Sequence, residues 1–162
     1  MRIFLSAIIS SAFVAIASAQ ETPVTLNIDG KPALVLQAPA SAKTTSSNAY
    51  VNIKTAKLSL YIWAAPDAKV ANDATPRVAE LIKNEFVKFK ATSVKDLTIA
   101  GAPAKDVIGA GNEADDGDPG HAEVILFEVA DHVFAACVHG EFDDAFREKE
   151  PMMAVLKTAH AP

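Results

Sequence analysis

Between Glu113 and Asp118 four carboxylates fall within six residues: Glu113, Asp115, Asp116 and Asp118, with Asn112 just before them and Gly111 and Gly120 on either side. A hard cation such as Ca²⁺ takes about six to eight oxygens from a flexible loop, so this composition suits one. The spacing is not that of an EF-hand. Gly117 separates Asp116 from Asp118, and the twelfth position counted from Asp115 is Leu126, which has no carboxylate to close the site. Three readings stay open: a solvated turn whose Asp and Gly residues supply backbone freedom, a Ca²⁺- or Zn²⁺-binding module or metal-dependent enzyme that adds His121, and a docking surface for a basic protein.

Cys137 and His139 lie two apart in an apolar run, so on a strand their side chains share a face. A thiolate nucleophile needs a base within hydrogen-bond reach. Apolar surroundings instead raise a thiol's pKa and leave it inert, so Cys137 reads as a structural thiol. His121 and His139 fall on opposite faces of the hairpin that contains them, as do Glu123 and Glu128, which argues against a two-histidine metal site and a paired-carboxylate hydrolase. Gly109-Ala110-Gly111 precedes acidic residues and no helix, so it does not cradle phosphate. G-x-S-x-G, H-E-x-x-H and C-x-x-C are absent. Tyr61 and Trp63 share a strand face and either fill the core or line a ligand pocket. No catalytic residue is singled out. No cofactor is called for, with Ca²⁺ at the acidic loop as the one candidate.

Half of the 162 residues are apolar and 22% are charged, which excludes a disordered or collagen-like chain. The amino terminus carries much of the apolar excess. Arg2, the apolar run Ile3–Ala17 and Ala17-Ser18-Ala19 ahead of Gln20 have the layout of a secretory signal peptide cleaved after Ala19. The expected organisation is a signal over 1–19 and a single α+β domain over 20–162, soluble after cleavage and periplasmic or extracellular. The run is short for a membrane span, and Ser6, Ser10 and Ser11 interrupt it. With one cysteine in the chain, no intramolecular disulfide can form. Charge is uneven: residues 20–112 carry a net +3 and residues 113–162 a net −9. The acidic end would attract a basic partner and repel nucleic acid and anionic lipid.

The elements that must position these groups follow from periodicity. Val24–Ile28 and Ala33–Leu36 flank Asp29-Gly30 as a hairpin. Residues 39–48 read as a surface loop. Tyr50–Lys54 and Lys57–Trp63 are strands, the second with Leu58, Leu60 and Ile62 on one face. After a connector, Thr75-Pro76 opens a helix in which Val78, Leu81, Ile82, Glu85, Phe86 and Phe89 follow a 3.6-residue period. Strands are expected at Val94–Ile99 and Ala104–Ile108, then at His121–Ala130 and Val133–His139 joined through Asp131-His132. A short helical turn near Asp143 or Asp144 and a closing helix from Pro151 complete the chain. Consecutive strands argue for an α+β fold with a mainly antiparallel sheet. Both faces of the late hairpin are apolar, so a helix should cover each face of a three-layer sandwich.

This order, with Gly101-Ala102-Pro103-Ala104-Lys105 entering a strand and a late hairpin followed by a closing helix, resembles the PsbP-like superfold over most of residues 24–159. That group includes photosystem II extrinsic proteins and many small exported bacterial proteins. The resemblance implies a non-enzymatic binding or assembly domain that meets a protein or small ligand through its sheet edge or acidic end.

Overall fold

The computed structural model describes residues 21–48, 50–65, 74–140 and 142–162. The expected signal peptide and residues 66–73 of the connector lie outside the described residues. The first two strands, β1 (Glu21–Ile28) and β2 (Lys31–Pro39), form their own antiparallel pair. Asp29 and Gly30 turn the chain between them with φ of 52° and 75°, the double left-handed conformation that Asp-Gly adopts at least cost.

Among the described residues seven strands make the main sheet: β3 (Lys43–Ser46), β4 (Tyr50–Thr55), β5 (Leu58–Ala64), β6 (Phe86–Ile99), β7 (Ala102–Glu113), β8 (Pro119–Val129) and β9 (His132–Gly140). Their order across the sheet is β3-β4-β5-β9-β8-β7-β6, and every pair is antiparallel. The fold is therefore a mainly antiparallel sheet with two short helices, α1 (Ala74–Leu81) and α2 (Phe142–Leu156).

Two buried clusters hold it together. In one, Leu58, Leu60, Ile62, Ile125, Phe127, Phe134, Ala136 and Val138 pack with Leu26, Leu34 and Leu36 of the β1–β2 pair and with Met152, Val155 and Leu156 of α2. In the other, Val124, Leu126, Ala135 and Cys137 pack with Val78 and Ile82, and Trp63 lies against them. The division follows strand alternation, odd-numbered β8 residues entering one cluster and even-numbered ones the other.

Four expectations need correction. The loop expected at 39–48 contains β3, a fully exposed polar edge strand with no apolar alternation to betray it. The helix expected to reach Phe89 stops at Leu81, and Phe86 begins β6. A bulge explains the misleading period. Lys88 has φ of 57°, and Lys88 and Phe89 together stand against Gly111 alone, between the Val87↔Asn112 and Lys90↔Ala110 pairs. The inserted residue lets Phe86 and Phe89 meet edge to face at a spacing of three, as they would on a helix.

The hairpin between β8 and β9 turns at Ala130-Asp131, with φ of 46° and 67°, one residue earlier than expected. Phe127 consequently faces Phe134 and Ile125 faces Ala136. The partner shifts by two residues, so every side chain keeps its expected face. Finally, α2 is continuous through Pro151 instead of starting there. A proline at that depth removes one helical hydrogen bond. Anchors before and after it hold the helix. Upstream, Glu148 Oε2 accepts from Ser59 N at 3.0 Å and Lys149 reaches the sheet, and downstream Met152, Val155 and Leu156 are buried.

Candidate functional site

A cleft lies beside the second cluster, where the end of α1 and the turn after it overhang β4, β5 and β9. Antiparallel pairing puts Tyr50 directly opposite Trp63, and Tyr61 directly opposite Cys137. His139, two residues beyond Cys137, rises on the same face. Its ring stacks on Tyr61 with centroids 5.7 Å apart and 25° between planes, and meets the edge of Phe86 at 5.7 Å and 85°. Tyr50, Tyr61, Trp63, Cys137 and His139, with Leu81, Asn84 and Glu85, line a cavity of about 560 Å³.

The overhang is built from the turn that ends α1. Glu85 N and Phe86 N both donate to Ile82 O, at 2.9 and 2.8 Å, while Glu85 O accepts from Ala114 N at 2.9 Å. Glu85 is thus fixed between the helix and the acidic turn. The floor is apolar. Burial pushes the Cys137 thiol far above its ordinary range, and the charge of Glu85 adds to the effect. A thiol held protonated is a poor nucleophile. Tyr50 and Tyr61 remain 41% and 37% exposed, although they stand among buried neighbours.

The acidic turn adjoins this cleft. Glu113, Asp115 and Asp116 bring one carboxylate oxygen each within 4.8 Å of one another on the surface. Asp118 is not in that group. Its N–H donates to Asp116 Oδ1 at 2.9 Å, and its carbonyl accepts from Glu113 N at 2.8 Å, which closes the turn. Three carboxylates can hold a cation only if water or backbone oxygens complete the shell. His121 pairs with Gly140 and Ala122 with His139, so the two histidines point to opposite faces. The same pairing sets the end of β9, where α2 begins, at the end of the sheet that carries the acidic turn.

The glycines of Gly109-Ala110-Gly111 serve packing. A Cβ on Gly109 would stand 2.4 Å from Phe89 Cζ and 2.5 Å from Lys90 O, and one on Gly111 would stand 2.9 Å from Val87 O. Their absent side chains admit the bulge and the Phe89 ring.

A further constellation lies under α2. Asp106 on β7 and Glu123 on β8 are diagonal neighbours, 1% and 2% exposed, and both accept hydrogen bonds from Lys149 Nζ, at 2.8 and 2.6 Å. One lysine cannot neutralise two carboxylates. Burial raises the Glu123 pKa and the neighbouring Asp106 adds to this, while Lys149 opposes it. Burial alone would lower the Lys149 pKa, but hydrogen bonds and charge from Asp106 and Glu123 raise it on balance. The group works as a polar clamp between helix and sheet.

Tyr61 and Trp63, the pair that strand alternation offers as pocket lining, do line the cleft, whereas Tyr50, Asn84 and Glu85 join them without having been expected there. The signal for Tyr50 was present: a two-residue loop between β4 and β5 puts it on the face of Tyr61 and Trp63, and the observed pairing sets it against Trp63. Asp106 was also legible as a charged residue in phase with Ala104 and Ile108. Lys149, within an acidic stretch, gave no sign of a buried role.

No protein-family model matches the chain, and no curated protein matches it in sequence. Solved structures do resemble it. The solution structure of cyanobacterial PsbP (CyanoP) from Synechocystis sp. PCC 6803 superposes with a TM-score of 0.57 at 10% identity, over 94% of this chain and 99% of that one. LpqN, involved in cell envelope biogenesis of Mycobacterium tuberculosis, gives 0.51 at 18% identity, over 88% and 91%. PA94 from Pseudomonas aeruginosa, a protein of unknown function, gives 0.47 at 15% identity, over 84% and 94%. The fold is PsbP-like, as the order of elements implied. Among the described residues no helix is long and apolar enough to cross a membrane.

Proposed function

We propose that this chain is a small exported binding domain whose ligand site is the cleft walled by Tyr50, Tyr61, Trp63 and His139. The observation that carries the reading is a row of open aromatic rings around about 560 Å³, within the roughly 300–1,000 Å³ of small-molecule sites. The groups inside support binding over reaction, because the thiol is held protonated and the imidazole is stacked. Export rests on the signal expected over 1–19 and on the fold shared with LpqN, a protein of cell envelope biogenesis. The reading takes 20–162 as one domain, and the two buried clusters support a three-layer arrangement with α1 and α2 on opposite faces.

Other surfaces support the reading less. The β6 edge has two bulges and carries Lys88, Lys90 and Lys95, features that block strand addition. The acidic end offers a basic protein a docking surface, and its Glu113, Asp115 and Asp116 favour a metal as the second reading. Native mass spectrometry of protein recovered from its own cells separates these. A retained small molecule that is lost in Trp63→Ala supports the cleft. A retained metal lost in Asp115→Asn with Asp116→Asn supports the turn and removes the cleft from its central place.

A further inference from the structure

The chemistry of the cleft narrows its ligand. Among its eight lining residues Glu85 supplies the one carboxylate, and none is Lys or Arg. Tyr50, Tyr61 and Trp63 supply three aromatic rings to the lining, and an aromatic ring's quadrupole attracts a cation placed over its face within about 6 Å. Leu81 and the protonated Cys137 thiol give an apolar floor that suits methyl or methylene groups. The acidic turn extends the negative field past the rim, because Ala114 N is bonded to Glu85 O and Glu113 pairs with Phe86. Rings, carboxylate and field favour positive charge, and the one basic side chain of the lining, His139, has its ring packed against Tyr61 and Phe86. A neutral sugar would stack on the same rings but would draw nothing from the charge.

We infer that the Tyr50–Tyr61–Trp63 cleft with Glu85 binds the alkylammonium head of an organic cation. The inference rests on the cleft being the ligand site and adds what it selects. An alkylammonium charge is carried by a free quaternary ammonium compound and, as a primary ammonium, by a lysine side chain, and the experiment distinguishes the two.

Trp63 is the chain's single tryptophan and lines the cleft, so its emission reports occupancy directly. Four probes are titrated into the full protein and followed by Trp63 fluorescence and calorimetry: choline, its uncharged carbon isostere 3,3-dimethylbutanol, glucose, and a short lysine-rich peptide. Choline or the peptide is expected to shift Trp63 emission and to bind about tenfold more tightly than the isostere. Choline outperforming the peptide identifies a free amine as the source, and the reverse identifies a side chain. Glu85→Gln, at an exposed position, is expected to weaken the cation by about two- to fivefold and leave the isostere unchanged.

Equal binding of choline and isostere, or binding of glucose alone, overturns the cation and leaves the cleft standing. Cation heat with no Trp63 response, abolished by Asp115→Asn with Asp116→Asn, places binding on the acidic turn and overturns the cation site in the cleft. No response to any probe in either measurement overturns the inference. Tyr61→Ala, judged folded by its circular dichroism, must lose the cation as well, and full retention of binding overturns the assignment of the rings.

Discussion

Lys149→Met tests the clamp under α2. The substitution keeps the length and apolar stem of the side chain and removes the ammonium that both Asp106 and Glu123 contact. Breaking a buried ion pair costs about 3–5 kcal/mol, chiefly because the remaining charge stays desolvated. Lys149 keeps 36% of its side-chain surface in water, so the lower end applies, about 3 kcal/mol near neutral pH. The pH dependence has a definite sign. Glu123 has a raised pKa in the fold, so its contribution favours folding below the ordinary carboxylate range and is lost as pH rises through the raised value. Removing Lys149 deletes the one group that opposes that rise, so the variant's deficit should be largest near neutrality and shrink in acid as Glu123 takes up a proton.

Urea unfolding followed by circular dichroism, near pH 7 and near pH 4.5, measures both quantities. The double variant Lys149→Met with Glu123→Gln should recover much of the loss at neutral pH, because only one buried carboxylate then lacks its partner. A deficit below about 1 kcal/mol, of the size seen for exposed pairs, would refute the clamp. So would a deficit that grows in acid.

Gly109→Ala should destabilise the protein by about 1–3 kcal/mol, since its Cβ meets both the Phe89 ring and the Lys90 carbonyl; an unchanged thermal midpoint would mean that β6 has room to move. Cys137, buried and with its pKa pushed up by burial, should resist a thiol reagent in the native protein and react in denaturant. Rapid native labelling would show that the cleft floor is open and the thiol ionised.

The parts legible in the sequence are those where local chemistry and tertiary structure agree. Asp29-Gly30 dictates its turn, and the alternation of Leu58, Leu60 and Ile62 fixes which side of β5 is buried. The faces of β8 and β9 were legible even though their register was not, because Ala130 adopts a left-handed φ that alanine seldom takes and so gave no turn signal. Phe86 and Phe89 misled because a bulge reproduces a helical spacing. The cleft was half legible. Tyr61 and Trp63 could be placed on one face from alternation alone, whereas Glu85 reaches that face only because the chain leaves α1 at Leu81 and bonds to the acidic turn. The Asp106–Glu123–Lys149 clamp joins three separate elements, and no local pattern encodes such a meeting.

The central claim is that the proposed ligand site lies in the cleft. Amide chemical-shift mapping of the full protein against a panel of small cationic, neutral and anionic compounds tests it most directly. The cationic compounds should perturb amides of Tyr50, Tyr61, Trp63, Glu85 and His139 together, with the response lost in Tyr61→Ala. Perturbations that collect on the 113–118 turn or the β6 edge and leave those five residues unmoved would contradict it.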